Sequence, residues 1–482
     1  MLTTVNCATG TLAPYVPSVD VPWNKQRVMH LYRRMGFGAT PAMIEAALQM
    51  SPSDLADSII DEAAALPPSP EPEWASWIID DYENFNEQSQ EQYVSWMLHW
   101  LNAMLTNGFR ERLALFWSNH FVTKYESYVC PSHLYLYHKL LQQHALGNFR
   151  QFTYDIGKTP AMLIFLNGVQ NTVLEPNENY ARELYELFTL GQDNGYTQQD
   201  IVETARALTG WNDPLPLCGP VNYVVFLHDN GQKTIFGQTG NWGYDDVHNL
   251  LFTQRDEQVA HHICTKIYRY FVHPEVDTEI VAGLAQTFLD NNFELAPVFR
   301  QLFKSEHFFD PYVISTEVKS PVEHFLGFIN EGNFPYNDDV LTIIGYLAYD
   351  LGQQLFSPVD VAGWPGNRSW VDSSSLVGRW QGMDYFLFLL YQNAPTVLVQ
   401  LAKDLSGLST DPAEVAQAFI DHFLPNGMDT AEAYERATIV FKWEVPQNYY
   451  DNGWWNLDWE TAPIQVVFLL RHIVRLPEFQ LA

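Results

Sequence analysis

Carboxylate side chains are concentrated between positions 175 and 211. Seven acids there accompany only two bases, Arg182 and Arg206: the acids are Glu175, Glu178, Glu183, Glu186, Asp193, Asp200 and Glu203. At 100° per residue, Glu183 falls at the margin of the apolar helix face, between Leu187 and Leu190. Burying an unpaired carboxylate is costly. We therefore predict that Glu183 is half buried and bound to an arginine, a metal ion or backbone donors.

Glu183 and Glu186 have the i,i+3 spacing that lets two helical carboxylates share one ligand. A histidine from another helix, such as His120, would complete the divalent metal site that carboxylate-bridged metal proteins build. The E-x-x-H signature of that class is absent here. Without a metal, a desolvated glutamate and an oriented histidine can still divide acid and base roles. The metal-ligand candidates are Glu183, Glu186 and His120, and the catalytic candidates are Glu183, Glu186, His120, Arg182, Arg206, His228 and Asp229.

A purely structural interpretation explains the same residues. In it Asp200 caps a helix, Glu178 pairs with Arg182 at i,i+4, and Glu203 is solvated. Glu183 then meets an arginine, for which Arg206 is the nearest basic candidate. Structural ion-pair networks imitate active sites, so this alternative stays open.

Two histidines lie outside the acidic segment. His120 belongs to the stretch 109–125, which is apolar nearly all round and is predicted to be a central helix. A histidine on such a face is either a ligand or a satisfied core residue. His228 and Asp229 lie in the Gly-, Pro- and Asn-rich segment 212–244, where the pair can orient an imidazole, although a β-turn explains Asp229 equally well.

Residues typical of helix starts and ends predict which elements carry these candidate residues. Pro176 and Asn177 are predicted to open one helix that Gly191 ends, and Thr197 with Asp200 forms a capping box that opens a second helix. A β-like run is predicted at 223–227. The fold is predicted to be mainly α, a compact multi-helix orthogonal bundle with a small loop and β insertion near 212–245. The chain 1–482 is predicted to be one α-helical unit, or two fused lobes of about 20–211 and 246–482.

Composition narrows the function classes. A formal charge of −31 argues against nucleic acid and anionic membranes as partners. The four cysteines form no C-x-x-C motif, and no apolar run is long enough to span a membrane. The stretch 1–22 lacks the basic and apolar regions of a secretory signal, which is consistent with a cytoplasmic protein, signal-free export or a missing leader.

Several segments together resemble one family. They are PNENYARELYELFTLG followed by YTQQDIVETARALTGW, then HLYRRMGFGATP at 30–41, RERLALFWSNHFVT at 110–123, HDNGQKTIFG at 228–237, VKSPVE at 318–323, LGQQLFSPVDVAGWPGNRSW at 351–370 and LPEFQL at 476–481. The chain resembles the large, mostly bacterial family called domain of unknown function 1800. The resemblance implies a periplasmic or extracellular protein with a sulfatase-like partner protein, and it implies no particular reaction. Two functions remain open: an enzyme or binding protein with a polar site, and a non-catalytic partner in an extracytoplasmic complex.

Overall fold

The structure is a computed structural model that describes residues 10–482, and its chain is 60% helical. The predicted mainly α class is confirmed. In chain order the α-helices of the described residues are α1 Lys25–Met35, α2 Pro41–Ala47, α3 Pro52–Ala65, α4 Phe85–Asn107, α5 Phe109–His120, α6 Tyr125–Tyr128, α7 Pro131–Gln143, α8 Phe149–Ile156, α9 Pro160–Phe165, α10 Asn179–Glu183, α11 Gln198–Ala207, α12 Tyr244–Gln254, α13 Asp256–Phe271, α14 Thr278–Asp290, α15 Leu295–Phe303, α16 Pro321–Glu331, α17 Asp338–Asp350, α18 Ser373–Asn393, α19 Pro395–Ser406, α20 Pro412–Phe423, α21 Ala431–Lys442, α22 Gln447–Asp451 and α23 Ala462–Ile473.

Side-chain caps mark several helix starts where the sequence signals predict them. The Thr197 and Asp200 capping box opens α11, and Gly191 has the left-handed φ of 91° that ends the preceding helix. Ser320 caps α16 in the same way, with Pro321 in the first turn and Glu323 closing the box. These caps satisfy backbone N–H groups that would otherwise lack partners.

The helix predicted to open at Asn177 is shorter and differently wound than expected. The Asn177 side chain accepts from the backbone N–H of Asn179 at 2.9 Å, so the chain turns once more before α10 begins. After Glu183 the winding changes to a π-helix, Leu184–Thr189. Such π segments are rare and occur often at functional sites. The predicted helix over 109–125 is likewise shorter, since α5 ends at His120.

The only strands among the described residues lie in the 212–245 segment. They occupy 233–240 and not the predicted β-like run at 223–227. The strands are β1, Lys233–Ile235, and β2, Gln238–Gly240, paired antiparallel across a two-residue turn. Both turn residues, Phe236 and Gly237, have positive φ, as the tight primed hairpin turns require. The run 223–227 was predicted to be a strand, and this was wrong. It ends in a 3₁₀ turn, Val225–Leu227, and makes only one isolated bridge, to Trp211.

Buried side chains from Tyr15 to Phe479 form one continuous apolar cluster, and α5 is buried along nearly its whole length. A disulfide joins Cys130, at the start of α7, to Cys218 in the 212–245 segment, whereas Cys264 is free and buried. Within residues 10–482, no helix combines the length and the apolar character needed to cross a membrane. Cys7 lies outside the described residues.

One ion pair is fully enclosed in the core and connects α1 to α16. Arg33 donates from Nε to Glu331 Oε1 at 2.6 Å and from Nη2 to Oε2 at 2.9 Å, and both side chains are buried. Arg33 Nη2 also donates to the carbonyl of Phe423. Burial opposes ionisation of Glu331, but Arg33 and Lys319 hold its pKa below the usual value. This pair fixes the helix that also carries Arg34.

Candidate functional site

A cavity of about 480 Å³ lies where α1, α5, α13 and the start of α16 meet several segments outside the α-helices. Its polar lining residues are Arg34, Arg112, Asn119, His120, Lys266, Arg269, Tyr270, Glu317, Ser320, Glu323, Gln353, Trp364, Asn367 and Trp370. A cleft of about 560 Å³ near α16, α17 and α18 is larger, but its lining is mainly apolar and aromatic. The smaller cavity is therefore the better candidate for specific binding, because buried polar groups converge on it.

Two buried arginines supply donors that the protein does not use. Arg34 is completely buried, and only its Nη2 has an acceptor, the carbonyl of Val272 at 3.4 Å. Nε and Nη1 of Arg34 have no hydrogen-bond partner among residues 10–482, and neither does Nε of Arg112. Arg112 forms an ion pair with Glu323, and its guanidinium lies 4.7 Å from the centre of the Tyr270 ring. Three buried guanidinium nitrogens, on two arginines that line the cavity, are thus unpaired.

A fourth unpaired donor comes from the turn that follows Gly363. Asn119 fixes this turn, because its Oδ1 accepts from the Trp364 backbone N–H at 2.6 Å and its Nδ2 donates to the Trp364 carbonyl at 3.2 Å. Gly363 has a φ of 89°, and a Cβ there would lie 2.2 Å from Asn119 Oδ1. The Trp364 side chain is buried, and its Nε1 has no partner in the described chain. Only glycine allows this close approach of the indole-bearing turn to α5.

The two acids of the cavity behave differently. Glu323 is held ionised: burial opposes its charge, but Arg112 and the Ser320 N–H, 2.7 Å from Oε2, keep its pKa below the usual value. Glu317 is buried and its Oε1 has no described partner. Burial raises the pKa of Glu317 to about 7, and Arg34 only partly opposes this. Glu317 therefore exchanges a proton near neutral pH.

One end of the cavity is formed by a histidine and a lysine that both contact the π-helix. His120 Nε2 lies 3.1 Å from the Phe188 carbonyl, which can only accept, so Nε2 carries the ring proton. Lys266 Nζ lies 3.0 Å from the Leu187 carbonyl and 3.2 Å from His120 Nδ1. Burial and the charge of Lys266 keep the pKa of His120 well below its usual value, so the ring is neutral. Of the two roles considered for His120, the structure shows a buried histidine with a hydrogen-bond partner.

The acidic segment 175–211 does not line this cavity. Glu183 is half buried as predicted, but no ion pair or hydrogen bond to it is formed by the described residues. Arg182 instead pairs with Glu178 at 3.0 Å and with Glu186 at 3.2 Å. Burial and the charge of Glu186 raise the pKa of Glu183. Of the partners predicted for Glu183, an arginine is not found among the described residues, because Arg182 and Arg206 are engaged by other acids, and a metal ion stays a prediction.

The remaining candidates form a separate polar cluster beside β1. Arg206 pairs with Asp229 at 2.7 Å and with Glu203 at 2.8 Å, so Glu203 is not simply solvated. His228 Nδ1 lies 3.0 Å from the Thr209 carbonyl. This cluster joins the acidic segment 175–211 to the 212–245 segment.

Of the seven predicted catalytic residues, His120 alone lines the cavity. Within the described range, no three His, Cys, Asp or Glu side chains are grouped so that they could hold a metal ion. A divalent metal bound by Glu183, Glu186 and His120 stays a prediction of the sequence. The residues that the sequence argument missed are Arg34, Arg112, Lys266, Glu317, Glu323 and Trp364. A signal was present, because Arg34, Arg112, Glu323 and Trp364 lie in four of the segments that carry the family resemblance.

The comparisons with known proteins agree with that resemblance. A family model described as Protein of unknown function (DUF1800) matches residues 30–481, a range that includes every residue lining the cavity. No curated protein and no solved structure matches the chain.

Proposed function

The chain belongs to the family Protein of unknown function (DUF1800), and from that premise we propose that its cavity binds a small molecule bearing an oxyanion, such as a carboxylate, sulfate or phosphate group. The observation that carries this proposal is the set of unpaired buried donors on Arg34, Arg112 and Trp364. Leaving a buried donor unsatisfied costs about 1–3 kcal/mol, and more for a charged group. A ligand with several acceptor oxygens would satisfy all of these donors together.

The charge balance of the cavity supports the same ligand class. Four basic residues, Arg34, Arg112, Lys266 and Arg269, line it with two acids, Glu317 and Glu323. The whole chain carries a formal charge of −31, so this local excess of positive charge runs against the composition. An anion gains from such a site because charges interact more strongly where water is excluded.

Glu317 gives the proposal a test by pH. We expect sulfate affinity, measured by titration calorimetry, to fall by roughly tenfold, about 1.4 kcal/mol, as the pH rises from about 6 to about 8. Glu317 has a pKa of about 7, so it gains a negative charge across that interval and repels the ligand. Sulfate stays fully ionised over the same range. In Glu317→Gln the affinity should remain high through pH 7.

Other groups near Glu317 define the control. Arg34, Arg112 and Glu323 keep their charges over this interval, whereas Lys266, with a pKa of about 8, starts to lose its proton at the upper end. The Gln variant therefore removes the contribution of Glu317. Smaller falls should persist in it, from Lys266 near pH 8 and from Lys319, which has a pKa of about 7 but lies outside the cavity lining. Equal pH profiles in wild type and variant, or no sulfate binding at either pH, would contradict the proposal. Thermal unfolding of both proteins checks that the substitution leaves the fold intact.

A second candidate function is favoured by a separate observation. Leu174, Val225 and Phe226 are exposed apolar side chains, and a bond from the Val173 N–H to the Leu227 carbonyl brings their backbones together. We propose that this surface contacts the sulfatase-like partner implied by the family resemblance, in an extracytoplasmic complex. Replacing Leu174 and Phe226 with serine should abolish a complex of the co-expressed proteins in native mass spectrometry and leave sulfate binding unchanged. Persistence of the complex in that variant would rule this surface out.

A further inference from the structure

We propose that Lys266 is a nucleophile, and that its amine forms an imine with the carbonyl carbon of an anionic oxo acid held in the cavity. This inference rests on the proposed function, because Arg34 and Arg112 would bind the acid group of the same molecule. The charge of the cavity implies only that the ligand carries an oxyanion. The nucleophile proposal adds that this ligand is an aldehyde or a ketone. It also gives a role to the His120 and Lys266 pair.

The hydrogen bonds at Nζ are the first support. Lys266 Nζ has two acceptors, the Leu187 carbonyl at 3.0 Å and His120 Nδ1 at 3.2 Å. A neutral amine has two N–H bonds and one lone pair, so these two acceptors take both hydrogens. Lys266 also lines the cavity, and the remaining position at Nζ is the one left for a ligand. The two bonds would fix the direction of the lone pair, and attack requires the carbonyl carbon of the ligand to lie along that direction.

The acceptors are themselves fixed by the fold. His120 Nε2 donates to the Phe188 carbonyl, which leaves Nδ1 as an acceptor. The Leu187 and Phe188 carbonyls belong to the π-helix Leu184–Thr189, near a helix end where carbonyl groups lack intrahelical partners. The acidic segment 175–211 thus contacts Lys266 and His120 through its backbone carbonyls and not through its carboxylates.

The environment also favours a neutral amine. Burial is the main cause and the neighbouring charge of Arg269 adds to it, and together they lower the pKa of Lys266 to about 8. Desolvation and a nearby cation are the two means by which proteins activate lysine for imine formation.

The chemistry balances without an oxidant or a metal. The Lys266 lone pair forms the N–C bond to the carbonyl carbon, the C=O π electrons move to oxygen, and proton transfers convert that oxygen to water. Loss of water forms the C=N bond, so the net change is amine plus carbonyl to imine plus water. Glu317 is the cavity group able to exchange a proton near neutral pH, and the acid group of the ligand takes no part in the step.

Reductive trapping tests the proposal. The full chain is incubated with glyoxylate, the smallest anionic aldehyde, and cyanoborohydride, which reduces an imine to carboxymethyl-lysine. Peptide mass spectrometry should find Lys266 labelled roughly tenfold or more above exposed lysines, because an ordinary lysine with a pKa of about 10.4 holds far less neutral amine at pH 7.5. Excess sulfate should suppress the label, since it would compete for the arginines. Lys266→Arg keeps a cation and should lose the label.

Lys319 is the matched internal control. It is buried, its Nζ donates to the Phe479 carbonyl at 3.0 Å, and its pKa is lowered to about 7, but it does not line the cavity. If a low pKa alone governed labelling, Lys319 would be labelled first, and that outcome would overturn the proposal. A label at Lys266 that sulfate leaves unchanged would overturn it as well.

The proposed anion site and the proposed nucleophile can fail separately, and the measurements distinguish the two outcomes. If calorimetry detects sulfate binding but Lys266 carries no label, the nucleophile proposal is wrong and the anion-site proposal is unaffected. No sulfate binding at all would remove the proposed function itself. Thermal unfolding of Lys266→Arg shows whether a lost label reflects the missing amine or a lost fold.

Discussion

Replacing Arg33 with methionine is expected to destabilise the protein by about 3–5 kcal/mol, the range seen when one partner of a buried ion pair is removed. Arg33 and Glu331 form two hydrogen bonds inside the core, with 3% and 1% of their side chains exposed. The methionine variant leaves Glu331 buried without that partner. Urea unfolding, analysed by linear extrapolation, measures the loss.

The double variant Arg33→Met with Glu331→Leu provides the control, because it removes both charges. Its stability should return toward that of the wild type, since well-packed apolar replacements of buried pairs are often neutral. The folded-state pKa of Glu331 is lowered, so its contribution is present above the ordinary carboxylate pKa and is lost as pH falls through the folded value. A single variant as stable as the wild type at neutral pH would contradict this account.

Replacing the adjacent arginine, Arg34, should have the opposite effect on stability and a large effect on binding. Arg34 is completely buried, and two of its nitrogens lack described partners. Arg34→Met is therefore expected to unfold at the same or a higher temperature, because it removes buried donors that lack partners. Sulfate affinity should fall roughly 10- to 100-fold, because about 1.5–3 kcal/mol of charge-assisted hydrogen bonding is lost.

Arg33 and Arg34 thus form a matched pair on one helix turn. One is predicted to be needed for the fold and the other for the ligand. Differential scanning calorimetry together with titration calorimetry on both variants separates the roles. A drop in stability for Arg34→Met comparable to that of Arg33→Met, with unchanged sulfate binding, would show that Arg34 is structural.

Local signals allowed much of the fold to be predicted. The capping box of Thr197 and Asp200 and the left-handed Gly191 follow from the chemistry of a few neighbouring residues. The π-helix after Glu183 was not predicted, and the β insertion near 212–245 was predicted without the position of its strands at 233–240. Both depend on tertiary packing, and a run rich in β-branched and aromatic residues such as 223–227 does not by itself pair.

The candidate site was harder to predict for a physical reason. The surplus of acids in the segment 175–211 suggested a site built from its carboxylates. On a partly exposed segment, however, such acids can stay solvated or pair locally, as Glu178 and Glu186 do with Arg182. The cavity is assembled from segments about 330 residues apart, from Arg34 to Trp364. Arg34 lies in a helix with two other arginines, Arg27 and Arg33, and nothing in that local sequence indicates which of their donors stay unpaired. Only the three-dimensional arrangement shows this.

Crystallography in the presence of selenate is the decisive test of the anion site, because anomalous scattering locates the selenium atom on its own. We expect a selenate ion in the cavity of the wild type, with its oxygens within hydrogen-bonding distance of Arg34 Nη1, Arg112 Nε and Trp364 Nε1. We also expect this ion to be absent from Arg34→Met crystals grown in the same solution. Selenate bound only at surface residues of the wild type, or bound equally in the variant, would contradict the proposal that this cavity is an anion site.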